Sequence, residues 1–459
     1  MIALAGTRVL VAGAGVSGLA VARVLVELGA VVAVSDSRPT ALTDLPDGAT
    51  AAPDPDAVPA GTELVVTGPG RRPDQALVLA AAAAGVPMVG EPELAWWIGQ
   101  TLPRPPAWLA VTGTNGKTTT VGMLEAILRA AGRDTVACGN IGFPLVEAVR
   151  GGHEVLAVEL SSFQLHWSPS VVPAVGCVLN VADDHLDWHG SMAAYAAAKA
   201  QALRGPVAVA GVDDAAAAAL LAASPAARRV GVTLGEPGAD QLGIVGGVLV
   251  DRAFGGPTGA DAEGESALEL ADVAAVHPGG PSGLTDALAA AAVARAHGVG
   301  PDAVRSGLDD FHPGPHRSAV VGEVDGVTYV DDSKATNPHA AGAALAARGE
   351  PVVWIVGGLL KGASVDALVA THARRLRGAV VIGTDRSEIV AALARHAPDL
   401  PVVEVATGDH EVMTTAVRRA AALARPGDVV VLAPSAASMD QFVDYAHRGR
   451  AFAEAVVQL

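Results

Sequence analysis

The chain has 459 residues, of which 51% are hydrophobic and 17% charged, and its formal net charge is −17. This composition excludes a disordered chain, and the length predicts about two to four domains. The acidic balance argues against a nucleic-acid partner, and two cysteines are too few for a disulfide framework. No apolar run reaches the ~18 residues of a membrane-spanning helix, and no secretory signal pattern precedes the first strand, so we expect a cytoplasmic protein without membrane insertion.

Residues 1–105 alternate strand and helix patterns and predict a Rossmann-like domain. A buried strand leads into the glycine-rich turn GAGVSG at residues 13–18, and Asp36 follows the next strand. This arrangement is typical of a dinucleotide site, in which the acid reads a ribose, and it suggests NAD, although any diphosphate also fits such a turn. A further strand ends in a tight turn at residues 68–70, at the same carboxyl edge of the predicted sheet.

The stretch WLAVTGTNGKTTT at residues 108–120 has the order strand, glycine-rich loop, Lys-Thr and helix. This is the layout of a phosphate-binding loop, in a compact variant because Val111 stands where the general pattern has its first glycine. The backbone N–H groups of the loop are expected to bind a polyphosphate, Lys117 its outer phosphates and Thr118 a Mg²⁺ ion. Residues 106–313 are therefore predicted to form a central ATP-binding domain.

Two polar side chains follow neighbouring buried strands beyond this loop. Glu159 ends one strand, and His185 follows the next in the run ADDHLD. Both are candidate Mg²⁺ ligands, and the carboxylate suits this oxygen-preferring ion better than the imidazole does. The alternatives are a carboxylate that caps a loop and a packed loop imidazole.

Four of the 31 basic residues are lysines, namely Lys117, Lys199, Lys334 and Lys361. Since arginine serves nearly every other cationic position, we infer that these four positions need a compact ammonium or a nucleophilic amine. Lys199 lies on a predicted alanine-rich helix at residues 192–203. Further on, residues 244–250 are predicted as a strand and residues 255–265 as an exposed loop.

Residues 314–459 again alternate strand and helix patterns and predict a second Rossmann-like domain. Its polar stretches are PHR at 315–317, DDSKATN at 331–337, Lys361 after a Gly-Gly pair, and residues 435–448. The whole chain is therefore predicted to be an α/β protein of three domains, with a P-loop ATPase-like, mostly parallel sheet in the central one.

These motifs together resemble the Mur ligase family of peptidoglycan synthesis. The shared stretches are TGTNGKTTT, ELSSFQL at 159–165, NVADDHLD at 180–187, Lys199, PHR and DDSKATN. The run SMDQF at 438–442, with Arg448-Gly449, resembles members that add D-glutamate to UDP-N-acetylmuramoyl-L-alanine. The resemblance implies an ATP-dependent amide-bond former, in which the substrate carboxylate becomes an acyl phosphate before the amine of D-glutamate attacks it.

The resemblance also implies which residues hold ATP and metal. Thr118 and Glu159 are implied to bind one Mg²⁺, and His185 and Lys199 a second. Lys199 is implied to be carbamylated by CO₂, which converts a cation into an anion with two oxygens. The implied ATP-binding residues are Gly113, Thr114, Asn115, Gly116, Lys117, Thr118, Thr119, Thr120, Arg317 and Asp332.

The two other ligands, both small molecules, are assigned in the same way, and we expect a monomer. The UDP-sugar substrate is implied to contact Gly15, Val16, Ser17, Ser37, Arg38, Gly68, Pro69, Gly70, Asn140, Ser161 and His185. D-Glutamate is implied to contact Lys334, Thr336, Lys361, Ser438, Met439 and Tyr445. A helix cap at Ser438 and a packed aromatic ring at Tyr445 are the alternatives.

Two stretches depart from the family pattern, and three rival functions stay open. SGLTDA at 282–287 replaces asparagines that face adenine and leaves Asp286 there, and GGLLK at 357–361 lacks an aspartate before its lysine. The rivals are an NAD-dependent oxidoreductase, a non-catalytic ATP-binding scaffold and another ligase of the same family. An oxidoreductase leaves Lys117 and Thr118 unexplained.

Overall fold

The protein is described by a computed structural model, which covers residues 4–52, 54–255, 267–406 and 411–459. In this part of the chain the strands form three sheets, each flanked by helices. The loop predicted at 255–265 lies outside the described residues, apart from Gly255.

The first sheet is built from the N-terminal elements. These are β1 (Arg8–Ala12), α1 (Val16–Glu27), β2 (Val31–Ser35), β3 (Thr50–Ala51), β4 (Leu64–Thr67), α2 (Ala76–Ala83), β5 (Met88–Gly90) and α3 (Glu91–Thr101). All strands are parallel, in the order β3-β2-β1-β4-β5. The carboxyl ends of β1, β2 and β4 therefore meet at one edge, where the sequence predicts a ligand.

The second sheet contains the predicted phosphate-binding loop. Its elements are β6 (Ala107–Thr112), α4 (Lys117–Ala130), β7 (Thr135–Gly139), α5 (Leu145–Ala148), β8 (Val155–Glu159), α6 (Ser162–His166), β9 (Val175–Val178), α7 (Leu186–His189), α8 (Met192–Ala200), β10 (Val207–Gly211), α9 (Ala215–Ala223), β11 (Arg228–Val232), β12 (Gln241–Val245), β13 (Val248–Asp251), β14 (Leu268–Asp272), α10 (Gly280–Ala296) and α11 (Pro301–Asp309). The strand order is β14-β13-β12-β11-β10-β9-β6-β8-β7, parallel from β12 through β7.

The strand predicted at 244–250 is instead a hairpin. Strands β12 and β13 pair antiparallel around Gly246 and Gly247, which have φ angles of 57° and 84°. Such positive values suit glycine, which lacks a Cβ atom. The apolar pattern on both sides of the turn looked continuous because the two glycines separate it by only two positions.

The third sheet occupies the C-terminal part of the chain. Its elements are β15 (Ala319–Val324), β16 (Val327–Asp331), α12 (Pro338–Ala346), β17 (Val352–Gly357), α13 (Asp366–His372), β18 (Leu376–Ile382), α14 (Arg386–His396), β19 (Val402–Glu404), α15 (Val412–Leu423), β20 (Val429–Leu432) and α16 (Tyr445–Val457). The order is β15-β16-β20-β17-β18-β19, and only the edge strand β15 runs antiparallel. The predicted α/β class with mostly parallel sheets is confirmed.

The described residues cluster into two compact units. The first comprises Met1–Val181, Trp188–Ala275 and Thr285–Phe311, and it holds the first two sheets. The second comprises Ala182–Asp187, Val276–Leu284 and His312–Leu459, and it holds the third sheet. The two sheets of the first unit share one hydrophobic core, in which Leu94 of α3 belongs with Leu145 of α5 and Trp108 of β6. Domain boundaries at 105 and 313 stay predictions.

The central strands are buried along their whole length. All five residues of β8 and all six of β17 are buried, as expected for parallel strands covered by helices on both faces. None of the described helices combines the length and the apolar character that crossing a membrane requires.

Candidate functional site

The loop between β6 and α4 is shaped to bind an anion. Gly116 precedes α4 with a φ angle of 87° and, as the N-cap residue, makes no side-chain hydrogen bond to this helix. The N–H groups at a helix N-terminus carry partial positive charge and bind phosphates. The ammonium of Lys117 donates to the carbonyls of Gly113 and Thr114, both at 2.9 Å, and so lies over the loop.

Asp286 lies directly behind this loop. A Cβ atom built on Gly116 would be 2.2 Å from Oδ1 of Asp286, so no side chain fits there without displacing the aspartate. The same Oδ1 accepts a hydrogen bond from the Thr120 hydroxyl at 3.2 Å. Asp286, which the sequence suggested as an adenine contact, thus supports the start of α4.

Two further residues support the loop and were not predicted as site residues. Asn180 bonds to it through side chain and backbone: its Oδ1 accepts from the Asn115 N–H at 2.9 Å, and its carbonyl from the Thr114 N–H at 3.0 Å. The hydroxyls of Tyr195 and Thr114 lie 3.1 Å apart. Asn180 begins the motif NVADDHLD. Asparagine is scarce in this chain, and that scarcity could have indicated a specific role for Asn180.

Glu159 lies beside Thr118 at the end of β8. Its Oε2 accepts from the Thr118 hydroxyl at 2.9 Å, and its Oε1 from the Asn140 amide at 2.8 Å. A hydroxyl and a carboxylate are the hard oxygen donors that Mg²⁺ prefers, so these residues fit that ion. No group of three or more His, Cys, Asp or Glu residues that could hold a metal occurs among the described residues.

Lys199 is buried against the same loop. Its ammonium donates to the Gly113 carbonyl at 2.7 Å and lies 4.4 Å from the centre of the Tyr195 ring. Lys117 contacts the same carbonyl oxygen, so two ammonium groups converge on one loop atom. The structure therefore brings Lys117, Thr118, Glu159 and Lys199 together, as the sequence predicted for a nucleotide site.

At the first sheet, Asp36 bonds to the glycine-rich turn as well as to its own loop. Its carboxylate accepts from the Ala14 N–H at 2.9 Å and from the Arg38 N–H at 2.9 Å. The side-chain hydrogen bond from Arg38 lowers the pKa of Asp36 to about 2, against the opposing effect of burial. This bonding closes the glycine-rich turn onto the strand end and disfavours the reading of Asp36 as a ribose-binding acid of an NAD site.

The remaining N-terminal residues expected at the UDP-sugar substrate line the same edge. Gly15 precedes α1, which no side chain caps, and Val16 is exposed. Ser37 and Arg38 are exposed after β2, and residues 68–70 follow β4. In the second sheet, Ser161 is the N-cap of α6, where it forms a capping box with Gln164.

In the second unit, the residues expected to contact ATP lie near the carboxyl end of β16. Burial raises the pKa of Asp332 to about 6, although the Ser318 hydroxyl, 2.9 Å from its Oδ2, acts in the opposite direction. His316 is buried with its Nδ1 2.6 Å from Asp331 Oδ2. Arg317 follows His316 in the chain and is partly exposed.

The neighbouring residues expected at D-glutamate are partly brought together. The ammonium of Lys334 lies 4.0 Å from the centre of the Tyr445 ring. Thr336 is half-buried, and the next residue, Asn337, caps α12 by accepting from the Ala340 N–H. Tyr445 begins α16, which Asp444 caps. The chain forms a turn directly after Ser438, and the next helix begins only at Tyr445. The alternative of a helix cap at Ser438 is therefore wrong.

Lys361 sits on a tightly constrained turn after β17. Its own φ angle is 52°, and a Cβ atom on Gly357 would collide with the Ile382 carbonyl at 1.9 Å. Asp385, which follows β18, lies close to GGLLK, because its Oδ2 accepts from the Leu360 N–H at 2.8 Å. Leu360 follows β17 and Asp385 follows the neighbouring parallel strand β18, so this bond joins two strand ends at one edge of the sheet.

The stretch 435–448 packs against the same edge. Ser438 is buried and Met439 is exposed. Arg448 is fully buried, and burial lowers its pKa to about 10. Its guanidinium donates to the Ser333 hydroxyl at 3.0 Å and to the Ser333 carbonyl at 2.9 Å, which ties α16 to the DDSKATN segment.

His185 belongs to the second unit, in the segment 182–187. Its φ angle of 54° is unusual for a residue with a side chain, and its N–H donates to Asp184 Oδ1 at 2.9 Å. The other oxygen of Asp184 accepts from the Asn337 amide at 3.3 Å. His185 thus lies on a constrained loop, and its neighbour Asp184 is hydrogen-bonded to Asn337 of the DDSKATN segment.

Three family models match parts of the chain. Residues 111–242 match the Mur ligase middle domain, and residues 316–436 match the Mur ligase glutamate ligase domain. Residues 2–53 match the C-terminal domain of alanine dehydrogenase/PNT. The last match covers only the strand, glycine turn and Asp36 region of the first sheet.

Among solved structures, the UDP-N-acetylmuramate-alanine ligase of Thermotoga maritima matches with a TM-score of 0.58 at 18% identity, covering 98% of this chain and 99% of that one. The MurF ligase of the same organism, solved with ADP, matches with a TM-score of 0.59 at 17% identity over 99% and 96%. A folylpolyglutamate synthase of Mycobacterium tuberculosis matches with a TM-score of 0.55 over 80% and 94%. At such identities these matches describe the fold alone.

Curated relatives match over nearly the full length. A protein of Streptomyces avermitilis is 54% identical, covering 98% of each chain, and one of Rhodococcus jostii is 52% identical, covering 99% of this chain and 96% of the relative. Both are named UDP-N-acetylmuramoylalanine--D-glutamate ligase. On the strength of these relatives and of the two matching domain models, this chain belongs to the Mur ligase family.

Proposed function

We propose that this protein is an ATP-dependent ligase that joins D-glutamate to UDP-N-acetylmuramoylalanine in peptidoglycan precursor synthesis, as a cytoplasmic monomer. One observation carries the proposal. A phosphate-binding loop with Lys117, Thr118, Glu159 and Lys199 around it lies in a chain 52% identical to a full-length relative of that name. Cell-wall synthesis, and with it cell shape and division, is the process such an enzyme serves.

The reaction has two chemical steps. The carboxylate of the UDP-linked substrate attacks the γ-phosphorus of ATP, ADP leaves, and an acyl phosphate forms. The amine of D-glutamate then attacks the acyl carbon, phosphate leaves, and the amine loses a proton. Lys117 and the N–H groups at the start of α4 stabilise the charge that develops on the transferred phosphoryl group.

Thr118 and Glu159 would hold one Mg²⁺, and His185 and Lys199 a second. When bound, the ions offset the negative charge that builds up among phosphates and carboxylates. The amine of Lys199 would combine with CO₂ to give a carbamate and a proton. Carbamylation replaces one of the two ammonium groups at the Gly113 carbonyl with an oxygen donor.

The remaining assignments follow the three proposed domains. Residues 1–105 would supply most of the UDP-sugar site, 106–313 most of the ATP site and 314–459 the amino-acid site. The proposed D-glutamate residues are Lys334, Thr336, Lys361, Ser438, Met439 and Tyr445, with Arg317 and Asp332 reaching ATP. The proposed UDP-substrate residues are Gly15, Val16, Ser17, Ser37, Arg38, Gly68, Pro69, Gly70, Asn140, Ser161 and His185.

A phosphate-release assay tests the proposal. With ATP, Mg²⁺ and UDP-N-acetylmuramoyl-L-alanine present, we expect release only when D-glutamate is added. Omitting either the UDP-sugar or the amino acid serves as the control for ATPase background. Equal release with L-alanine or meso-diaminopimelate would overturn the substrate assignment, and ATP binding without release would favour a scaffold.

A further inference from the structure

Two tryptophan side chains bond to one turn of the first sheet. The indole N–H of Trp188 donates to the Gly70 carbonyl at 3.3 Å, and that of Trp167 to the Arg71 carbonyl at 3.2 Å. Each tryptophan follows a family motif but lies outside it, since ELSSFQL ends at 165 and NVADDHLD at 187. All of these residues belong to the first unit.

The two indoles are themselves held in an aromatic cluster. His166 lies between them, with ring centres 4.8 Å from Trp167 and 5.0 Å from Trp188. Phe163 meets the edge of Trp188 at 4.9 Å, and His189 stacks on Phe163 at 5.5 Å. We call these five residues the aromatic clamp. Its members lie on or next to α6 and α7, so the clamp is built on the segments that follow Glu159 and His185.

A backbone bond fixes Trp167 more firmly. The Trp167 carbonyl accepts from the Gly90 N–H at 2.8 Å, and a Cβ atom built on Gly90 would lie 3.0 Å from the Cβ of Trp167. The main chain of Trp167 is thereby held against the end of β5 while its side chain reaches the turn after β4. The clamp therefore connects two strand ends of the first sheet to the second sheet.

The turn after β4 also has hydrogen bonds from neighbouring residues. The Gly68 N–H donates to the Ala12 carbonyl at 3.2 Å, and the Gly68 carbonyl accepts from the Arg71 N–H at 3.4 Å and from the Thr67 hydroxyl at 3.2 Å. None of these bonds involves the Gly70 or Arg71 carbonyl, which the two indoles contact at similar distances. Indole N–H groups are donors only, so they select the conformation in which the carbonyls of Gly70 and Arg71 face the clamp. Because a peptide unit is planar, fixing these carbonyls also fixes the N–H groups opposite them.

We propose that Trp167 and Trp188 are positioning residues for the UDP-linked substrate, because they hold the turn at residues 68–71 in its binding conformation. This inference rests on the proposed function, which assigns residues 68–70 to that substrate. The tryptophans act through the backbone of the turn. Their loss weakens substrate binding and leaves the chemistry at the phosphate loop intact.

Phenylalanine variants remove the N–H groups and keep an aromatic ring. For Trp167→Phe and Trp188→Phe we expect the KM for UDP-N-acetylmuramoyl-L-alanine to rise about fivefold each, the factor that one neutral hydrogen bond of ~1 kcal/mol supplies. The kcat and the KM for ATP should stay within about twofold, because the two N–H groups that are removed donate to the turn at residues 68–71 and each ring is kept. Unchanged KM for the UDP-substrate in both variants overturns the proposal.

Trp97→Phe is the matched control. Its indole N–H also donates a hydrogen bond, to the Ser170 hydroxyl at 3.2 Å in the same unit, but away from the turn. We expect all its kinetic constants to match the unchanged protein. If Trp97→Phe raises the KM as much as the other two, the effect is general loosening, and the proposal is wrong.

A measurement on the unaltered fold guards against variants that fail to fold. With 5-fluorotryptophan in place of its six tryptophans, the protein has six fluorine resonances, assigned by the single phenylalanine variants. We expect UDP alone to shift those of Trp167 and Trp188 and to leave that of Trp97 unchanged; shifts at none, or equally at all, overturn the proposal. If UDP shifts the two resonances while no amino acid supports phosphate release, the proposed function fails and the turn assignment stands.

Discussion

At the scale of single residues, one carbonyl oxygen organises the phosphate site. Gly113 O accepts from Lys117 at 2.9 Å and from Lys199 at 2.7 Å, and the latter ammonium is buried. Two cations this close repel each other unless negative charge lies between or on them. Bound triphosphate would supply that charge to Lys117, and a carbamate would remove the cation at Lys199. The residue-scale chemistry therefore favours an amine at position 199 over a guanidinium.

We expect Lys199→Arg to lower phosphate release by at least about 100-fold, because arginine keeps the charge but forms no carbamate. Initial rates with saturating substrates measure this effect, and the thermal midpoint checks the fold. Removing CO₂ from the buffer should slow the unaltered enzyme, and bicarbonate should restore it. Near-normal turnover of the arginine variant would refute the metal role of Lys199.

Gly116→Ala should raise the KM for ATP by about tenfold or more, because its Cβ would lie 2.2 Å from Asp286 Oδ1 and the loop must shift. Gly132→Ala is the matched control. It has a similar φ angle of 71° but nothing within 4 Å of a Cβ, so only backbone strain of ~1 kcal/mol is expected. Equal effects of both substitutions on ATP affinity would contradict the role of Asp286.

At the scale of elements, helices α3 and α5 meet through a buried carboxyl group. Glu91, at the start of α3, accepts from the Val146 N–H of α5 at 2.9 Å. Burial raises the pKa of Glu91 to about 7, and the backbone hydrogen bonds to it act in the opposite direction. The contact thus joins the first and second sheets through a group that is neutral at mildly acidic pH.

This geometry predicts a pH dependence of stability. Between the ordinary pKa of 4.5 and about 7, the folded chain binds more protons at Glu91 than the unfolded chain does. The contribution of Glu91 to the free energy of unfolding is therefore fully present below pH 4.5. It falls by on the order of 3 kcal/mol as the pH rises through 7. Glu91→Gln should remove that loss. As the pH rises from about 5 to about 8, its urea midpoint should therefore rise relative to that of the unaltered protein.

Glu27→Gln provides the comparison for that experiment. Glu27 forms a surface ion pair with Arg150, half exposed to water, so we expect less than about 1 kcal/mol of change at either pH. If Glu91→Gln shows the same small, pH-independent difference as Glu27→Gln, the carboxyl group at the α3–α5 contact does not titrate as described.

At the scale of the whole molecule, the proposed ligands are divided between the two units. The phosphate loop belongs to the first unit, and the proposed D-glutamate residues belong to the second. Because the proposed reaction uses residues of both units, we expect ligand binding to be accompanied by a conformational change.

We therefore expect the radius of gyration to fall when a non-hydrolysable ATP analogue and UDP-N-acetylmuramoyl-L-alanine bind together. Small-angle X-ray scattering measures it, with Lys117→Ala as a control in which the analogue should produce little change. Identical scattering with and without both ligands would count against closure.

The fold class and part of the candidate site could be predicted from local sequence. The α/β class, the phosphate-binding loop and the position of Glu159 near it follow from local motifs, and the family resemblance implied that Lys199 lies there too. The structure confirms the α/β class, and in it Glu159 bonds to Thr118 and Lys199 to Gly113. The single strand predicted at 244–250 is wrong, because β12 and β13 form a hairpin there with only two glycines between them.

Tertiary structure decided which distant residues complete the site. Asp286 lies under Gly116, Asp385 accepts from the Leu360 N–H, and Trp167 and Trp188 reach the turn after β4. None of these pairs is close in sequence, and no local pattern marks them. They meet because the order of strands in a sheet, which depends on long-range burial of apolar residues, determines which strand ends become neighbours.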